Sequence, residues 1–464
     1  MAKATKEKIK FVCSECGNDH PRWQGQCASC KAWNTLAEFK EAKLPSQQRA
    51  QAIQGGYAGT LGNVVKKMDD VSSIALDKTA TGIGELDRVL GNGLTIGSII
   101  LISGDPGAGK TTILTQLAAN MSHKTTAMYC TAEESLEQFK ARATERLKIN
   151  YVPDQLLLMS EYIISNIMEK ALEAKVKFLI IDSVQALESE HSNGSAGSIG
   201  QVKGCAQELS RFAKTHGITL ILVGHVTKGS DLAGPKTLEH IVDTLLHIEV
   251  NDSIIRTMRA SKNRFGDVDQ VGIFQMNSRG MISVDNPSKL FLSGADERAV
   301  GSAITCIRDG SRNLLLEVQS LVSECEGEHP QRVSIGLNFN RLKMITAVLR
   351  KHGRIQLFHD VYVNLVGGLK LPDTDTSADL ALAAALVSSL NDIEMSRKYC
   401  FMGEISLSGE VRPISGGVPR VNEAIKHGFE QIYIPKANYH KSMEEGNAKI
   451  IVIEHITDLL EALK

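Results

Sequence analysis

The stretch Gly104-Asp105-Pro106-Gly107-Ala108-Gly109-Lys110-Thr111 fits the pattern G-x-x-x-x-G-K-[ST] at every fixed position. The apolar run at residues 98–102 predicts a buried strand before it, and residues 112–118 predict a helix after it. A strand, a glycine-rich loop and a helix in this order are the context that identifies a phosphate-binding loop. The sequence therefore predicts a nucleoside triphosphate site.

Each part of this loop has an expected role in binding ATP and Mg²⁺, the two cofactors predicted here. The glycines allow backbone N–H groups to point at triphosphate oxygens near the positive end of the helix. Lys110 is expected to reach the β- and γ-phosphates, and Thr111 to offer its hydroxyl to Mg²⁺. The predicted cofactor-binding residues are Gly104, Asp105, Pro106, Gly107, Ala108, Gly109, Lys110, Thr111 and Thr112.

Acidic residues end two further apolar runs. Residues 176–181 predict a central strand that ends in Asp182, which we expect to support the metal ion. Residues 127–132 predict another strand, which brings Glu133 and Glu134 to the same edge of a parallel sheet. We expect Glu133 rather than Glu134 to orient the attacking water; the alternative is that these acids cap a helix.

A fourth apolar run, residues 218–224, ends in His225. A polar side chain at this position could sense the γ-phosphate. It could equally be a histidine whose hydrogen bonds are satisfied at the edge of the sheet.

Composition indicates a folded protein with several domains. The chain has 464 residues, of which 42% are hydrophobic, enough for about three domains with ample cores. No run of about 18 apolar residues and no apolar signal segment are found, so we expect a cytoplasmic protein that does not enter a membrane. The formal net charge of -1 neither supports nor excludes nucleic acid as a partner.

Four of the nine cysteines are close together near the N-terminus: Cys13, Cys16, Cys27 and Cys30. Two C-x-x-C pairs at this spacing allow four thiolates to meet at one tetrahedral ion, so we predict a structural Zn²⁺ site rather than disulfides or a redox pair. Both tryptophans, Trp23 and Trp33, flank the site. They either pack over the small metal-held core or expose a ring for a partner or for base stacking.

Shifts in composition divide the chain into four segments. Residues 1–40 form the four-cysteine zinc module, and a polar, glutamine- and glycine-rich linker occupies residues 41–75. The ATPase domain is predicted at 76–284. Residues 285–464 follow a boundary marked by Asp285-Asn286-Pro287-Ser288.

The segment Lys262-Asn263-Arg264-Phe265-Gly266, together with these three modules, resembles the bacterial RadA/Sms family of DNA repair proteins over nearly the whole chain. The resemblance implies an α/β fold: a RecA-like P-loop ATPase core with a small N-terminal zinc ribbon and a C-terminal α+β Lon-protease-like domain. It also implies a DnaB-like homo-hexamer that translocates on single-stranded DNA and promotes branch migration of recombination intermediates. Branched DNA and the recombinase RecA are the other partners that it implies.

The resemblance gives Lys262 and Arg264 a catalytic role. They are two residues apart, so on an extended segment they project from one face and could reach a neighbouring subunit's triphosphate. Without the resemblance, a solvated basic loop would be the better interpretation. We also expect Lys203, Lys228 and Lys236, in loops suited to line a ring channel, to contact the DNA backbone.

The Lon-like domain raises the question of protease activity. Ser377 aligns with the Lon nucleophile, but Pro419 occupies the position of the general-base lysine, and a proline ring cannot accept a proton. We therefore predict an inactive scaffold for ring assembly and interpret Ser377 as a helix-start residue. Possible DNA contacts in this domain are Lys343, Arg350, Lys351 and Arg354.

The motifs together with the resemblance imply a DNA-dependent ATPase of recombinational DNA repair, with catalytic residues Lys110, Glu133, Asp182, Lys262 and Arg264. The alternative is a RecA-like regulatory ATPase that acts on a protein partner. DNA-stimulated hydrolysis separates the two.

Overall fold

The structure is a computed structural model. It describes residues 9–14, 18–40, 77–149, 155–192, 194–225, 235–251, 254–292, 297–325, 327 and 329–464. The linker predicted at residues 41–75 lies outside the described residues. The chain forms two compact units, Met1–Val284 and Asp285–Lys464.

A small antiparallel sheet opens the first unit. Its strands are β1 (Ile9–Cys13), β2 (Asp19–His20) and β3 (Leu36–Lys40), in the order β2-β1-β3. Val12 is buried in the same apolar cluster as the ATPase strands. The zinc module therefore packs against the core of this unit.

A nine-stranded sheet forms the ATPase core, in the order β14-β13-β12-β11-β6-β10-β9-β7-β8. Before it, β4 (Lys78–Thr79) and β5 (Leu94–Thr95) pair on either side of α1 (Gly84–Leu90). The strands of the large sheet are β6 (Ile99–Gly104), β7 (Ala127–Thr131), β8 (Leu156–Ser160), β9 (Phe178–Asp182), β10 (Thr219–His225), β11 (Thr244–Val250), β12 (Ile255–Asn263), β13 (Val271–Asn277) and β14 (Gly280–Ser283).

Helices connect these strands. They are α2 (Lys110–Ser122), α3 (Leu136–Ala141), α4 (Ile164–Glu173), α5 (Ile199–His216) and α6 (Pro235–Leu238), with a π-helical turn at Arg142–Arg146 and a 3-10 turn at Val184–Ala186. Strands β11, β6, β10, β9, β7 and β8 are parallel, and β12 to β14 extend the sheet as an antiparallel meander.

The apolar runs in the sequence become strands because both faces of the parallel sheet are buried. Every residue of β6 is buried, and its side chains alternate between two cores: Ile99 and Leu101 pack into one, and Ile100 and Ile102 into the other. The strands predicted at residues 98–102, 127–132, 176–181 and 218–224 are confirmed as β6, β7, β9 and β10, and the helix predicted at 112–118 is confirmed as α2.

The second unit is a mixed α+β domain, as predicted. Its helices are α7 (Pro287–Phe291), α8 (Phe339–Lys351), α9 (Asp379–Leu390), α10 (Gly417–Lys426) and α11 (Ile456–Ala462). Its strands are β15 (Arg298–Val300), β16 (Ser302–Asp309), β17 (Arg312–Glu324), β18 (Arg332–Ile335), β19 (His359–Leu365), β20 (Glu394–Ser396), β21 (Tyr399–Phe401), β22 (Glu404–Ile405), β23 (Val411–Arg412), β24 (Gln431–Pro435) and β25 (Lys449–Ile453).

A seven-stranded sheet in the order β18-β19-β17-β16-β21-β24-β25 carries this domain. Helix α9 is rich in alanine and leucine and is buried from Asp379 to Ser388, which makes it the central helix of the core. In the part of the chain that the structure describes, no helix combines the length and apolar character needed to cross a membrane.

Candidate functional site

The predicted nucleotide-binding residues meet at one edge of the large sheet. Gly104 pairs with His225, Thr131 pairs with Asp182, and β10 runs parallel to β9, so the carboxyl ends of β6, β10, β7 and β9 lie at the same edge of the sheet. In an open parallel sheet, this edge is where ligands bind.

The phosphate-binding loop joins β6 to α2 and depends on glycine at two places. Gly104 has φ 154°, and a Cβ atom there would lie 2.6 Å from the backbone oxygen of Ile248. Gly109 has φ 99° and forms the N-cap of α2. Any side chain at Gly104 would force the loop away from the sheet, so the glycine lets the backbone pass close to β11 and cradle an anion.

Lys110 lies inside this loop. Its side chain is buried, and Nζ donates hydrogen bonds to the backbone oxygens of Gly104 at 2.7 Å and Asp105 at 3.1 Å. Burial lowers the pKa of Lys110, and the nearby carboxylates of Asp182 and Asp105 oppose that shift. The ammonium group is thus held where it can exchange carbonyl oxygens for phosphate oxygens.

Asp182 and Thr111 form the expected site for Mg²⁺. The Thr111 hydroxyl donates to Oδ2 of Asp182 at 2.9 Å, and the Tyr129 hydroxyl donates to the same oxygen at 2.7 Å. Burial raises the pKa of Asp182, whereas these two hydrogen bonds lower it. A hydroxyl beside a carboxylate is an oxygen pair that suits Mg²⁺, so the residues present fit this ion.

Tyr129 was not identified from the sequence. It is fully buried in β7, and burial raises the pKa of its hydroxyl well above the usual range, so the group stays protonated and donates to Asp182. The available signal was a tyrosine hydroxyl in the middle of a strand that is apolar before it, since buried tyrosine hydroxyls usually have a hydrogen-bonding partner.

Glu133 lies beside Asp182 and faces the open side of the site. Its Oε1 accepts a hydrogen bond from the Ser183 hydroxyl and lies 3.2 Å from Nε2 of His225. The hydrogen bond from His225 is the largest cause of a lowered Glu133 pKa, and that from Ser183 adds to it. An ionised, half-exposed carboxylate in this place can orient a water molecule or accept a proton from it.

Glu134 has a different environment. Its carboxylate pairs with Nη1 of Arg142, whose Nη2 donates to the hydroxyl of Thr115 at 3.3 Å. The cap of α3 is Ser135, which forms a capping box with Gln138, so neither acid has the capping role considered as the alternative. The geometry favours Glu133 over Glu134.

Lys262 and Arg264 lie at the opposite edge of the sheet from this chain's own phosphate loop. Asn263 pairs with Thr244, which pairs with Ile100 near the start of β6. Gly104 is four residues further along β6, about 13 Å away at the rise of a strand. The structure therefore does not bring these two basic residues to the site that their own chain forms.

Both basic side chains have partners at that edge. Lys262 Nζ donates to the backbone oxygen of Glu239 at 2.6 Å, and Arg264 Nη1 donates to Oδ1 of Asp243 at 3.0 Å. Arg264 is 54% exposed, so most of its side chain is accessible. Burial lowers the pKa of Lys262, and the neighbouring Arg264 charge adds to that effect.

The prediction that Lys203 lies on an exposed loop is wrong. It lies within α5 and is buried, because the helix already begins at Ile199. Lys228 lies outside the described residues, and Lys236 belongs to α6.

Three of the four predicted zinc ligands come together. The Sγ atoms of Cys13, Cys27 and Cys30 all lie within 4.8 Å of one another, and Cys13 and Cys30 are 3.6 Å apart. Thiolates around a tetrahedral zinc ion are separated by about 3.8 Å. The residues fit zinc, and Cys16 lies outside the described residues. Nε2 of His20, which was not singled out from the sequence, lies 3.3 Å from Cys27 Sγ.

The protease nucleophile position is not activated. Ser377 is buried, and among the residues that the structure describes its hydroxyl has no hydrogen-bonding partner and contacts no general base. Pro419 lies in the first turn of α10. The N-cap of α9 is Ala378, without a side-chain hydrogen bond, so Ser377 precedes the helix but does not cap it.

Comparison with protein families finds three matching segments. A model described as "AAA domain" matches residues 71–231, one described as "Rubredoxin metal binding domain" matches 11–38, and one described as "Subunit ChlI of Mg-chelatase" matches 340–438. The segment matched by the first model contains the phosphate-binding loop, and the segment matched by the second contains the predicted zinc ligands.

The chain is similar over almost its full length to proteins named "DNA repair protein RadA". That of Escherichia coli (strain K12) is 44% identical over 463 residues, which cover 99% of each chain. That of Bacillus subtilis (strain 168) is 38% identical over 461 residues, or 98% of each chain. Among solved structures, a KaiC-like protein from Pyrococcus horikoshii OT3 is 17% identical, with a TM-score of 0.36, covering 45% of this chain and 99% of that one.

Proposed function

Because the chain belongs to the RadA family of DNA repair proteins, we propose that it is a DNA-dependent ATPase of recombinational DNA repair. Its ATPase domain uses ATP and Mg²⁺, and its N-terminal ribbon binds Zn²⁺. The observation that carries the proposal is the meeting of Lys110, Thr111, Asp182 and Glu133 at one sheet edge.

These residues divide the work of ATP hydrolysis. Lys110 moves from loop carbonyls to phosphate oxygens, and Asp182, held by Thr111 and Tyr129, supports the metal site. Glu133 orients the attacking water, with its charge maintained by His225 and Ser183. Mg²⁺, when bound, neutralises charge on the phosphates. Catalysis is therefore mainly positional and electrostatic.

Lys262 and Arg264 complete the site of a neighbouring subunit. Their place at the opposite sheet edge suits a head-to-tail ring, in which this edge of one subunit faces the phosphate loop of the next. The proposed assembly is a homo-hexamer that translocates on single-stranded DNA in the cytoplasm and drives branch migration. Branched DNA and RecA are its proposed partners, as expected for a protein of recombination.

The C-terminal domain serves as an inactive scaffold in this proposal. Its buried, unpartnered Ser377 hydroxyl supports that role. Lys343, Arg350 and Lys351 lie on α8, followed by Arg354, and remain proposed DNA contacts. Lys343 Nζ lies 4.4 Å from the centre of the Phe339 ring.

The test is steady-state ATP hydrolysis with and without single-stranded DNA across a salt series. Stimulation that fades as salt rises is expected, because phosphate contacts release counterions. Lys110→Ala is the blank, and Lys124→Ala, just beyond α2, is the matched control. Turnover independent of DNA at every salt concentration would contradict the proposal and favour a regulatory ATPase that acts on a protein partner.

A further inference from the structure

The zinc ribbon exposes both tryptophans of the protein. Trp23 is 59% exposed and Trp33 is 70% exposed, although aromatic side chains of this size are normally well buried. The compact part of the ribbon is made instead by Cys13, Cys27 and Leu36. Among the described residues of the ribbon, the two rings therefore lie outside the metal-held core and are open to a ligand.

Backbone geometry presents the two rings on one short segment. Trp33 forms an antiparallel bridge with Gln26, and the N–H of Asn34 donates to the oxygen of Gly25 at 2.7 Å. A Cβ atom on Gly25 would lie 3.6 Å from the Trp33 ring, so the ring rests against this glycine. Trp23 is two residues before Gly25, so the Cα atoms of Trp23 and Gly25 are within about 7 Å of each other.

The charges around the rings favour a polyanion. From Pro21 to Ala37 the charged residues are Arg22 and Lys31, and the segment contains no aspartate or glutamate. Both basic residues are exposed, as are the two tryptophans. Flat exposed rings beside positive charges are the combination that binds single-stranded nucleic acid by stacking and phosphate contact.

We propose that Trp23 and Trp33 stack on the bases of single-stranded DNA, while Arg22 and Lys31 contact its phosphates. This inference rests on the proposed function, because it assumes that the protein binds single-stranded DNA. It adds a contact made by the ribbon itself, outside the ATPase ring. Duplex DNA is a poor ligand for this surface, since its bases are already stacked on one another.

The experiment uses intrinsic fluorescence of the full-length, zinc-loaded protein, because the chain contains 2 tryptophans and both are in the ribbon. Titration with a thymine oligonucleotide is expected to quench this emission, and an abasic oligonucleotide of equal length to quench it much less. Trp23→Phe and Trp33→Phe leave one reporter each and retain an aromatic ring. Trp23→Ala and Trp33→Ala should each weaken binding about fivefold or more.

Tyr162→Ala is the matched control, since Tyr162 is an exposed aromatic residue outside the ribbon. Zinc content measured for every variant shows that the ribbon is folded. Three results together would overturn this inference alone: DNA leaves the emission unchanged, the alanine variants bind DNA as tightly as the parent, and DNA still stimulates hydrolysis. The exposed rings would then be assigned to binding a protein partner. Absence of both DNA binding and stimulation would overturn the proposed function as well.

Discussion

Arg264 is held by Asp243 at the sheet edge opposite to the phosphate loop, with Nη1 and Oδ1 3.0 Å apart. Asp243 is only 3% exposed. It also accepts hydrogen bonds from Nζ of Lys214 and from the backbone N–H of Ile99, each at 3.1 Å. A buried carboxylate with this many donors fixes where Arg264 can point, and that direction is away from its own chain's nucleotide site.

A mixing experiment tests whether Arg264 acts on a neighbour. Arg264→Ala and Lys110→Ala should each be nearly inactive alone, whereas an equimolar mixture should recover about a quarter of wild-type turnover if subunits mix randomly in a head-to-tail ring. Recovery is expected because Lys110 of one variant meets Arg264 of the other. Steady-state ATP hydrolysis of the mixture is the measurement.

Arg88→Ala, which alters an exposed arginine of α1, is the control for loss of positive charge. It should remain active alone. The opposite result is a mixture that is as inactive as its components although size measurements show that mixed rings have formed. That result would show that Arg264 does not complete a neighbour's site.

Tyr129→Phe should raise the Mg²⁺ concentration needed for half-maximal hydrolysis about tenfold, since a hydrogen bond to a charged group is worth roughly 1.5–3 kcal/mol. The hydroxyl donates to Oδ2 of Asp182 and lowers the pKa of that acid. Without it, the carboxylate loses a donor that fixes its orientation beside Thr111, so its oxygens are less well placed to bind the metal. Tyr162→Phe, on the surface, should leave the Mg²⁺ dependence unchanged, and equal curves for both variants would refute this role.

The sequence was sufficient to place residues whose positions follow from local pattern. Lys110 and Thr111 are identified by spacing, and Asp182 by its position at the end of an apolar strand. Tyr129 and Asp243 were not found, because their importance depends on which side chains meet across neighbouring strands, and one sequence does not give that register. For Lys203, glycine-rich composition predicted a loop, but the apolar face of α5 packs against the sheet and extends the helix over it.

The variants Glu133→Gln and Glu134→Gln should distinguish the proposed catalytic role of Glu133 from the structural role of Glu134. Glu133→Gln is expected to lower kcat about a hundredfold or more while ATP still binds, because the amide cannot accept a proton from water. Glu134→Gln should keep kcat within a few-fold and lower thermal stability, since it weakens the ion pair with Arg142. Turnover and ATP affinity of the two isosteric variants are the measurements, and the opposite ranking would assign the water to Glu134.

The pH dependence of hydrolysis should depend on His225. The hydrogen bond from His225 is the largest cause that holds the Glu133 pKa below its usual value. In the proposed role Glu133 acts as the carboxylate, so activity is expected to be full above the folded-state pKa and to fall as pH drops through it. The acid limb of kcat/KM, which reports the free enzyme, should therefore lie below the ordinary glutamate range in the wild type.

His225→Ala should move this acid limb to higher pH, because the variant loses the hydrogen bond that favours the charged form of Glu133, while Ser183 still donates to it. His216→Ala, at the exposed end of α5, is the control and should leave the profile in place. Circular dichroism over the same pH range separates loss of activity from acid unfolding. An acid limb that stays at the same pH in His225→Ala would contradict this prediction. Either His225 does not set the charge of Glu133, or Glu133 is not the group whose ionisation limits hydrolysis. The kcat of Glu133→Gln decides between these two explanations.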